Sequence, residues 1–237
     1  MIKLYQQDWH GIEFKSFAFC DEKKIAGKDF YDKFYESFFK TYKSFDDLDK
    51  NWVDYKNQIA RILIKEIRNK KNILSIGCGI GIVENYLVEN LAKIKLTAIE
   101  PSPNVSRWIK HIDRISIKDG YFPDILGSKK NFEIAYANGV DYVFDNIEYH
   151  NFLKSVVDYG IKELFIISAS YYTPSFKIYF KEILKNIVIK MRLYRGRQLW
   201  GFNRSIKEQF EAIKKAGFND CSLTYKSDST IIIRAKI

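Results

Sequence analysis

The sequence predicts an α/β fold in which a mostly parallel sheet with crossover helices follows a helical N-terminal cap. Three observations predict it. Aromatic residues recur at helical spacing near the start of the chain, short apolar runs alternate with helical patterns from residue 72 onward, and two β-rich runs lie close together at the end. A chain of 237 residues, 46% of them hydrophobic, can bury the core of one such domain.

The first part of the chain, residues 1–47, is expected to form the helical cap. The stretch KDFYDKFYESFFKTY (28–42) repeats aromatic side chains every three or four residues, which is typical of an amphipathic helix. A second helix is expected to begin near Asp47 or Asp49 and to continue through NWVDYKNQIARILIKEIRNK, because acidic residues favour helix N-termini.

After Lys71 the pattern changes to strands that alternate with helices. Strands are predicted at 72–76, 94–99, 114–117, 132–137 and 163–168. Helical patterns lie between them at 82–92, 103–111 and 148–158. This alternation indicates parallel strands joined by crossover helices.

The end of the chain departs from this alternation. SIKEQFEAIKKAGF (205–218) predicts a helix capped by Ser205, with Glu208 as its capping-box partner and Gly217 as its terminator. The runs CSLTYKS and TIIIRAKI follow, separated by a few polar residues. Two strands so close in sequence can pair only as an antiparallel hairpin.

The segment ILSIGCGIGIVENYLV (73–88) joins the first of these strands to a helix through alternating glycines. A strand, a glycine turn and a helix N-terminus gather unpaired backbone N–H groups at one point, which suits an anionic or strongly polar ligand. The spacing departs from the dinucleotide fingerprint G-x-G-x-x-G, whose third position falls on Ile82. A phosphate-binding P-loop is excluded because no Gly-Lys-Ser/Thr follows.

Gly77, Gly79 and Gly81, followed by Glu100 at the end of the next strand, resemble the class I S-adenosylmethionine-dependent methyltransferases. The resemblance covers about residues 50–237, including the closing helix and the hairpin. It implies a Rossmann-like, seven-stranded, mostly parallel sheet with an antiparallel C-terminal hairpin in residues 48–237, and a cap at 1–47 that contributes to the acceptor pocket. It also implies S-adenosylmethionine as cofactor, with Glu100 accepting both ribose hydroxyls. The alternative is a tight turn without ligand, in which Glu100 caps the helix after Pro101.

Further cofactor contacts follow from the same resemblance. Asp119 takes the place of a side chain that bonds the adenine amino group, unless it is only an acid in a turn, and Tyr121 would cover the ring. The family's acid two residues before the first glycine is replaced by Ser75, so a contact near the methionine amine is either weaker or supplied elsewhere. The predicted cofactor-binding residues are Gly77, Cys78, Gly79, Gly81, Glu100, Pro101, Asp119, Gly120, Tyr121, Asn138 and Gly139.

Methyl transfer from a sulfonium is an in-line displacement, so the enzyme supplies proximity and orientation, and a base when the acceptor must lose a proton. Many small-molecule relatives carry a histidine shortly after the fourth strand, where this chain has Tyr142. Tyr142, Asp141 and His150 are therefore the candidate catalytic residues, although a lone histidine at a helix start is often structural. If none of them acts, the base lies in the cap, at Tyr31, Tyr35 or His10, or no base is needed.

The segment at about 171–204 is a long basic insertion. Nine basic residues and one acid, Glu182, lie between residues 177 and 207. The family builds its acceptor pocket from this insertion and the N-terminal helices. The predicted acceptor-binding residues are Arg192, Arg195, Arg197, Tyr194, Tyr31 and Tyr35, a set that suits a phosphorylated or nucleotide-linked sugar. The alternatives are a solvated helix face and docking on a membrane surface.

The sequence thus predicts a methyltransferase acting on a small anionic acceptor, with oxygen as the favoured acceptor atom. The formal charge of +10 supports a second hypothesis, an RNA methyltransferase or nucleic-acid-binding protein. Against it, the chain reads Ala-Asn-Gly-Val where base-amino methylating enzymes carry Asn/Asp-Pro-Pro-aromatic, and no cysteine lies where pyrimidine methylation needs a nucleophile. A third hypothesis is a cofactor-binding subunit without catalysis, given Ser75 and Tyr142.

Composition limits the other classes. The three cysteines and three histidines are far apart, which predicts neither a disulfide framework nor a metal site. No apolar run reaches the roughly 18 residues of a membrane span, and the N-terminus lacks a signal-peptide pattern. We therefore expect a cytoplasmic protein without an integral membrane segment.

Overall fold

The computed structural model describes residues 1–103, 105–111, 113–127, 131–169, 171–191 and 196–237, without the side chains of 186 and 190. The helices are α1 (Lys28–Thr41), α2 (Lys50–Ile67), α3 (Ile82–Asn90), α4 (Asn146–Tyr159), α5 (Phe176–Lys190) and α6 (Ile206–Lys215). The strands are β1 (Ile2–Gln6), β2 (Asp8–Trp9), β3 (Ile12–Glu13), β4 (Asn72–Ile76), β5 (Lys95–Glu100), β6 (Ile115–Asp119), β7 (Ile134–Asn138), β8 (Glu163–Ser168), β9 (Gln198–Asn203), β10 (Asp220–Lys226) and β11 (Ile231–Lys236).

Seven strands form one sheet in the order β10-β11-β8-β7-β4-β5-β6. The five strands from β8 to β6 pair in parallel, whereas β11 runs antiparallel to both β8 and β10. This confirms the predicted mostly parallel sheet with its antiparallel C-terminal hairpin. The strand order reverses direction at β4, which has β5 on one side and β7 on the other. Ligands of open α/β sheets bind at such a point, outside the carboxyl ends of the strands.

The sheet is covered by helices on both faces. Along β4, Leu74 belongs to the apolar cluster under α4 and α6, whereas Ile73 belongs to the cluster under α2 and α3. This alternation follows from the two-residue period of a strand. Because both faces are buried, the parallel strands read as nearly continuous apolar runs, which is why the sequence located them well.

The helix ends follow the predicted capping chemistry. The Asp49 carboxylate accepts the N–H of Trp52 at the start of α2. Ser205 and Glu208 form a capping box at the start of α6, and Gly217 follows its end at φ 111°. The helix predicted at 103–111 is wrong, because the described residues there form a 3-10 turn at Val105–Trp108.

The N-terminal segment contains strands that the sequence did not predict. β1 pairs antiparallel with β9, from Ile2 opposite Asn203 to Gln6 opposite Gln198. β2 and β3 form a two-residue hairpin whose turn, His10-Gly11, has positive φ angles of 50° and 72°. The predicted cap thus contains α1 together with these short strands, and β1 attaches it to the 171–204 segment. No helix in the described part of the chain is long and apolar enough to cross a bilayer.

Candidate active site

The turn after β4 is held tightly against its surroundings. The N–H groups of Gly77 and Cys78 both donate to the carbonyl of Ile99 in β5, at 2.8 and 3.1 Å. A Cβ on Gly77 would lie 2.5 Å from Val140 Cγ2, and one on Gly81 would lie 2.2 Å from Ile109 Cγ1. Both residues also have positive φ angles, so this turn requires glycine for conformation and for space.

Glu100 connects this turn to the loop after β5. Its side chain accepts the N–H of Gly79 at 2.9 Å through Oε2 and the N–H of Ser102 at 3.2 Å through Oε1. Burial raises the pKa of Glu100 to about 7, although these two hydrogen bonds favour the ionised form. Each carboxylate oxygen has a second lone pair, so Glu100 can still accept ligand hydroxyls.

A cavity of about 810 Å³ lies between the carboxyl edge of the sheet and the N-terminal segment. From the sheet edge it is lined by Ile76, Gly77, Ile99, Glu100, Pro101, Ser102, Gly120, Tyr121, Asn138 and Gly139. The cap, α2, the loop after β7 and β9 supply its aromatic lining: Trp9, His10, Tyr31, Tyr35, Trp52, Tyr55, Tyr142, Phe144 and Trp200. This volume is in the range of small-molecule and cofactor sites.

Four of the predicted cofactor residues do not line the cavity. Cys78 is buried within the turn, Gly79 donates its N–H to Glu100, and Gly81 packs on Ile109. Asp119 lies exposed at the end of β6. The other predicted cofactor residues, named above, line the cavity together.

Ser75, which replaces the family's acid, is bonded to another carboxylate. Its hydroxyl donates to Oε1 of the buried Glu84 at 2.6 Å, and the Tyr136 hydroxyl donates to the same atom at 2.7 Å. Glu84 Oε2 has no hydrogen-bond partner among the described residues. Burial raises the pKa of Glu84. A carboxylate therefore lies directly behind the position where the sequence lacks one.

Lys56, on α2, lines the cavity, and its positive charge acts on the Glu84 carboxyl through space and partly offsets the rise in its pKa. Its Nζ donates to Asn138 Oδ1 at 3.3 Å. Burial lowers the pKa of Lys56 to about 8, partly offset by the charge of Glu84. Sequence reasoning missed both residues. Glu84 is the one acid among the buried positions of α3, and an acid in an otherwise apolar stretch is a pattern that could have pointed to it. Lys56 is one lysine among many, and no pattern in the sequence distinguishes it.

Tyr142 and Tyr31 meet across the cavity wall. Their hydroxyl oxygens are 3.0 Å apart, and the Tyr142 ring stacks on Trp200 with centroids 6.1 Å apart. Burial raises the pKa of Tyr142 to about 12 and the pKa values of Tyr31 and Tyr35 well above 10. All three phenols therefore stay protonated at neutral pH, where they can orient an acceptor but cannot act as phenolate bases.

Asp141 and His150, unlike Tyr142, do not line the cavity. The Asp141 carboxylate accepts the Ser168 hydroxyl at 2.6 Å and the Gln209 amide at 2.7 Å, and its backbone carbonyl accepts a guanidinium N–H of Arg204 at 2.8 Å. These bonds tie the loop after β7 to the neighbouring elements. His150 lies on α4, and neither His150 nor Asp141 lines the cavity.

His10 is the histidine that the structure places in the cavity. It occupies the β2–β3 turn, and its ring centroid lies 3.9 Å from that of Trp52. Its Nε2 is buried without a hydrogen-bond partner among the described residues. Burial and the charge of Lys56 lower the pKa of His10 to about 4. The ring is therefore neutral at pH 7 and has a nitrogen that can accept a hydrogen bond.

The predicted arginine site cannot be assembled from the described residues. Arg192, Tyr194 and Arg195 lie outside them, and Arg197 is half-buried and absent from the cavity lining. In the described part of the chain, no group of three His, Cys, Asp or Glu side chains is arranged to hold a metal ion.

Comparison with known proteins finds similarity in structure rather than in sequence. No protein-family model matches this chain. No curated protein matches it in sequence either.

Several solved methyltransferase structures superpose on most of the chain. Mitomycin 7-O-methyltransferase MmcR has a TM-score of 0.59 at 15% identity, covering 88% of this chain and 57% of its own. Human N-acetylserotonin methyltransferase, in complex with S-adenosylmethionine, has a TM-score of 0.60 at 11% identity, with coverage of 89% and 56%. The N,N-8-amino-8-demethyl-D-riboflavin dimethyltransferase RosA from Streptomyces davawensis has a TM-score of 0.60 at 14% identity, with coverage of 91% and 62%.

The chain spans less than two thirds of the length of each of these structures. Identities of 11–15% establish a likeness of fold. That likeness agrees with the strand order and the C-terminal hairpin described above. The chain therefore has the fold of the class I S-adenosylmethionine-dependent methyltransferases.

Proposed function

We propose that this protein transfers a methyl group from S-adenosylmethionine to a small, planar and largely apolar acceptor. One observation carries the proposal: a single cavity joins the Glu100 carboxylate and the glycine turn to a wall of aromatic side chains. The volume of about 810 Å³ leaves room for a cofactor and an acceptor together.

The residues at the sheet edge fit this cofactor. S-adenosylmethionine, when bound, supplies an electrophilic methyl group on a sulfonium. Glu100 would hold the ribose hydroxyls, and the Lys56 ammonium would hold the carboxylate of the methionine part. Glu84, whose carboxyl accepts the Ser75 hydroxyl, would take the place of the acid that the family has near the methionine amine. The unpartnered Glu84 Oε2 and the lowered pKa of Lys56 support this assignment, because both groups are buried without full compensation.

The aromatic lining favours a planar acceptor. Trp9 lies between Trp200 and Trp52, with ring centroids 5.3 and 6.5 Å away, and Tyr142 stacks on Trp200. Such rings bind flat apolar molecules through offset and edge-on contacts. His10 Nε2 would accept a hydrogen bond from the acceptor hydroxyl and so polarise it, and the Tyr31–Tyr142 pair would orient it. The named acceptors of the superposed structures, mitomycin, N-acetylserotonin and a riboflavin derivative, are likewise small molecules.

An anionic acceptor, as the sequence predicted, remains the second candidate. The observation that favours it is the pair of lysines in the cavity lining, Lys28 and Lys56. The ammonium of Lys28 is already paired with Asp32 at 2.5 Å, and we place Lys56 at the cofactor. The aromatic lining therefore favours a planar apolar acceptor more strongly than the two lysines favour an anionic one.

Mass spectrometry tests the proposal. The protein is incubated with S-adenosylmethionine and three compound sets: planar hydroxylated aromatics, sugar phosphates and nucleotide sugars, and short RNA. We expect a gain of about 14 daltons in the first set. In His10→Gln, turnover should fall at least about tenfold while cofactor affinity stays the same. A gain confined to the sugar set would establish the anionic acceptor instead, and one confined to RNA would establish a nucleic-acid methyltransferase.

A further inference from the structure

Helix α5 presents a row of large apolar side chains to solvent. The row consists of Phe176, Tyr179, Phe180, Ile183, Leu184, Ile187 and, just after the helix, Met191, all between 47% and 85% exposed. None of the described side chains of α5 is fully buried. Contiguous exposed apolar surface of this kind marks an interaction site more often than scattered single residues do.

These side chains share one face of the helix. At 100° per residue they occupy an arc of about 140°. The half-buried residues of α5 lie on the opposite arc: Ile178, Glu182, Lys185, Val188 and Ile189. On that side, Lys185 Nζ donates to the carbonyl of Lys3 in β1 at 2.8 Å and pairs with Glu182. The apolar row therefore points directly away from the body of the protein, and we call it the outward face of α5.

The charges around the outward face are positive. Lys177, which is exposed, borders one edge of the apolar arc, and Lys181, also exposed, lies one turn further along the same side of the helix. Between residues 177 and 197 the sequence has seven basic residues and a single acid, Glu182. Glu182 forms an ion pair with Lys185. The whole chain carries a formal charge of +10. An apolar helix face bordered by lysines, on a cationic protein, complements a surface that is apolar inside and negative outside.

We infer that the outward face of α5 docks the protein on an anionic lipid membrane, with the helix lying in the interface. Apolar side chains buried at the acyl boundary and lysines beside lipid phosphates supply the two signals that peripheral binding needs. The lysine stems can reach outward to the headgroups from the border of the arc. This inference is independent of the proposed methyl transfer.

A second copy of the chain fits the same face less well. Two copies paired through it would set two lysine-bordered faces of chains that each carry a formal charge of +10 against one another, and like charges oppose association. One 15-residue helix is also small for a stable interface, which buries about 800 Å² on each partner. An anionic lipid surface attracts the lysines instead of repelling them, and it does not need a large protein interface.

Vesicle flotation tests the inference on the full chain. We expect binding to vesicles of phosphatidylcholine with phosphatidylglycerol, and at least about tenfold weaker binding to phosphatidylcholine alone. A variant with Phe176→Gln, Phe180→Gln, Ile183→Gln and Ile187→Gln should lose at least about tenfold in affinity for the anionic vesicles. Lys177→Gln with Lys181→Gln should reduce the binding and its salt dependence.

The matched control removes exposed apolar residues elsewhere. Phe19→Gln with Ile147→Gln changes side chains that are 95% and 72% exposed but lie outside α5. This variant should bind vesicles like the parent, and circular dichroism should show that all variants are folded. Equal binding by the α5 variant and the control would overturn the inference. The inference would also be overturned if the parent protein did not bind vesicles. That holds equally if the parent sediments as a dimer through α5 or binds RNA through its lysines.

Discussion

Burial sets the protonation of the two side chains that we place at the cofactor. The pKa of Glu100 is raised to about 7 and that of Lys56 is lowered to about 8. Ligand binding needs Glu100 ionised, to accept ribose hydroxyls, and Lys56 protonated, to pair with a carboxylate. The two requirements are met together only in a narrow range near neutral pH.

Affinity for the demethylated product, S-adenosylhomocysteine, should therefore peak between about pH 7 and 8. Below pH 7 Glu100 gains a proton and affinity should fall, by up to about tenfold per pH unit. Above pH 8 Lys56 loses its proton and affinity should fall again. Calorimetric titration from pH 5.5 to 9 measures both limbs.

Two substitutions test which residue causes each limb of this pH dependence. Glu100→Gln should flatten the acid limb alone, because the amide does not titrate, and Lys56→Gln should flatten the alkaline limb alone. An affinity that stays constant across this range in the parent would remove both residues from the cofactor contacts.

The sequence located these residues unequally. Glu100 follows an apolar strand at a fixed distance from the glycines, so local spacing was enough to find it. His10, Lys56 and Glu84 come from a hairpin turn and from two helices, and only the packing of the cap and of α2 and α3 against the sheet edge brings them together. Local spacing does not show which side chains such packing brings together.

The loop after β7 depends on β9 for its position. A Cβ on Gly201 would lie 2.5 Å from both Cδ2 and the backbone oxygen of Tyr142. Close packing of a strand against a backbone carbonyl leaves no room for a side chain. Gly201 therefore permits the contact that places the Tyr142 ring in the cavity wall.

Gly201→Ala should displace this loop. We expect a loss of about 1–3 kcal/mol in the free energy of unfolding from overpacking, lower turnover, and cofactor affinity close to that of the parent. Denaturant unfolding and calorimetry measure these effects. A Gly201→Ala protein as stable and active as the parent would show that the loop does not need β9.

Helices and strands with a strong local sequence pattern were predicted more accurately than those without one. The parallel strands and capped helices have strong apolar periodicity and polar cap residues, and they fall within a few residues of the predicted positions. β2 and β3 are only two residues long, and β1 and β9 pair across most of the chain. A pairing that joins the N-terminus to residues 198–203 is set by tertiary contacts, so the local sequence does not predict it.

The fold as a whole followed from the order of its parts. Alternating strands and helices, a glycine turn after the first parallel strand and a closing hairpin were enough to predict the sheet that the structure has. The acceptor was harder, because it depends on a cavity wall assembled from the cap, α2, the loop after β7 and β9. The arginines from which an anionic acceptor was predicted are mostly outside the described residues.

The most direct measurement is a calorimetric titration of the whole protein with S-adenosylmethionine and, separately, with NAD. Because the glycine spacing and Glu100 form the cofactor end of the cavity, we predict one molecule of S-adenosylmethionine bound per chain and no binding of NAD. In Glu100→Ala the binding free energy should weaken by about 1–3 kcal/mol, as expected for a buried hydrogen-bonding carboxylate. Binding of NAD with no response to S-adenosylmethionine would contradict the assignment of this cavity.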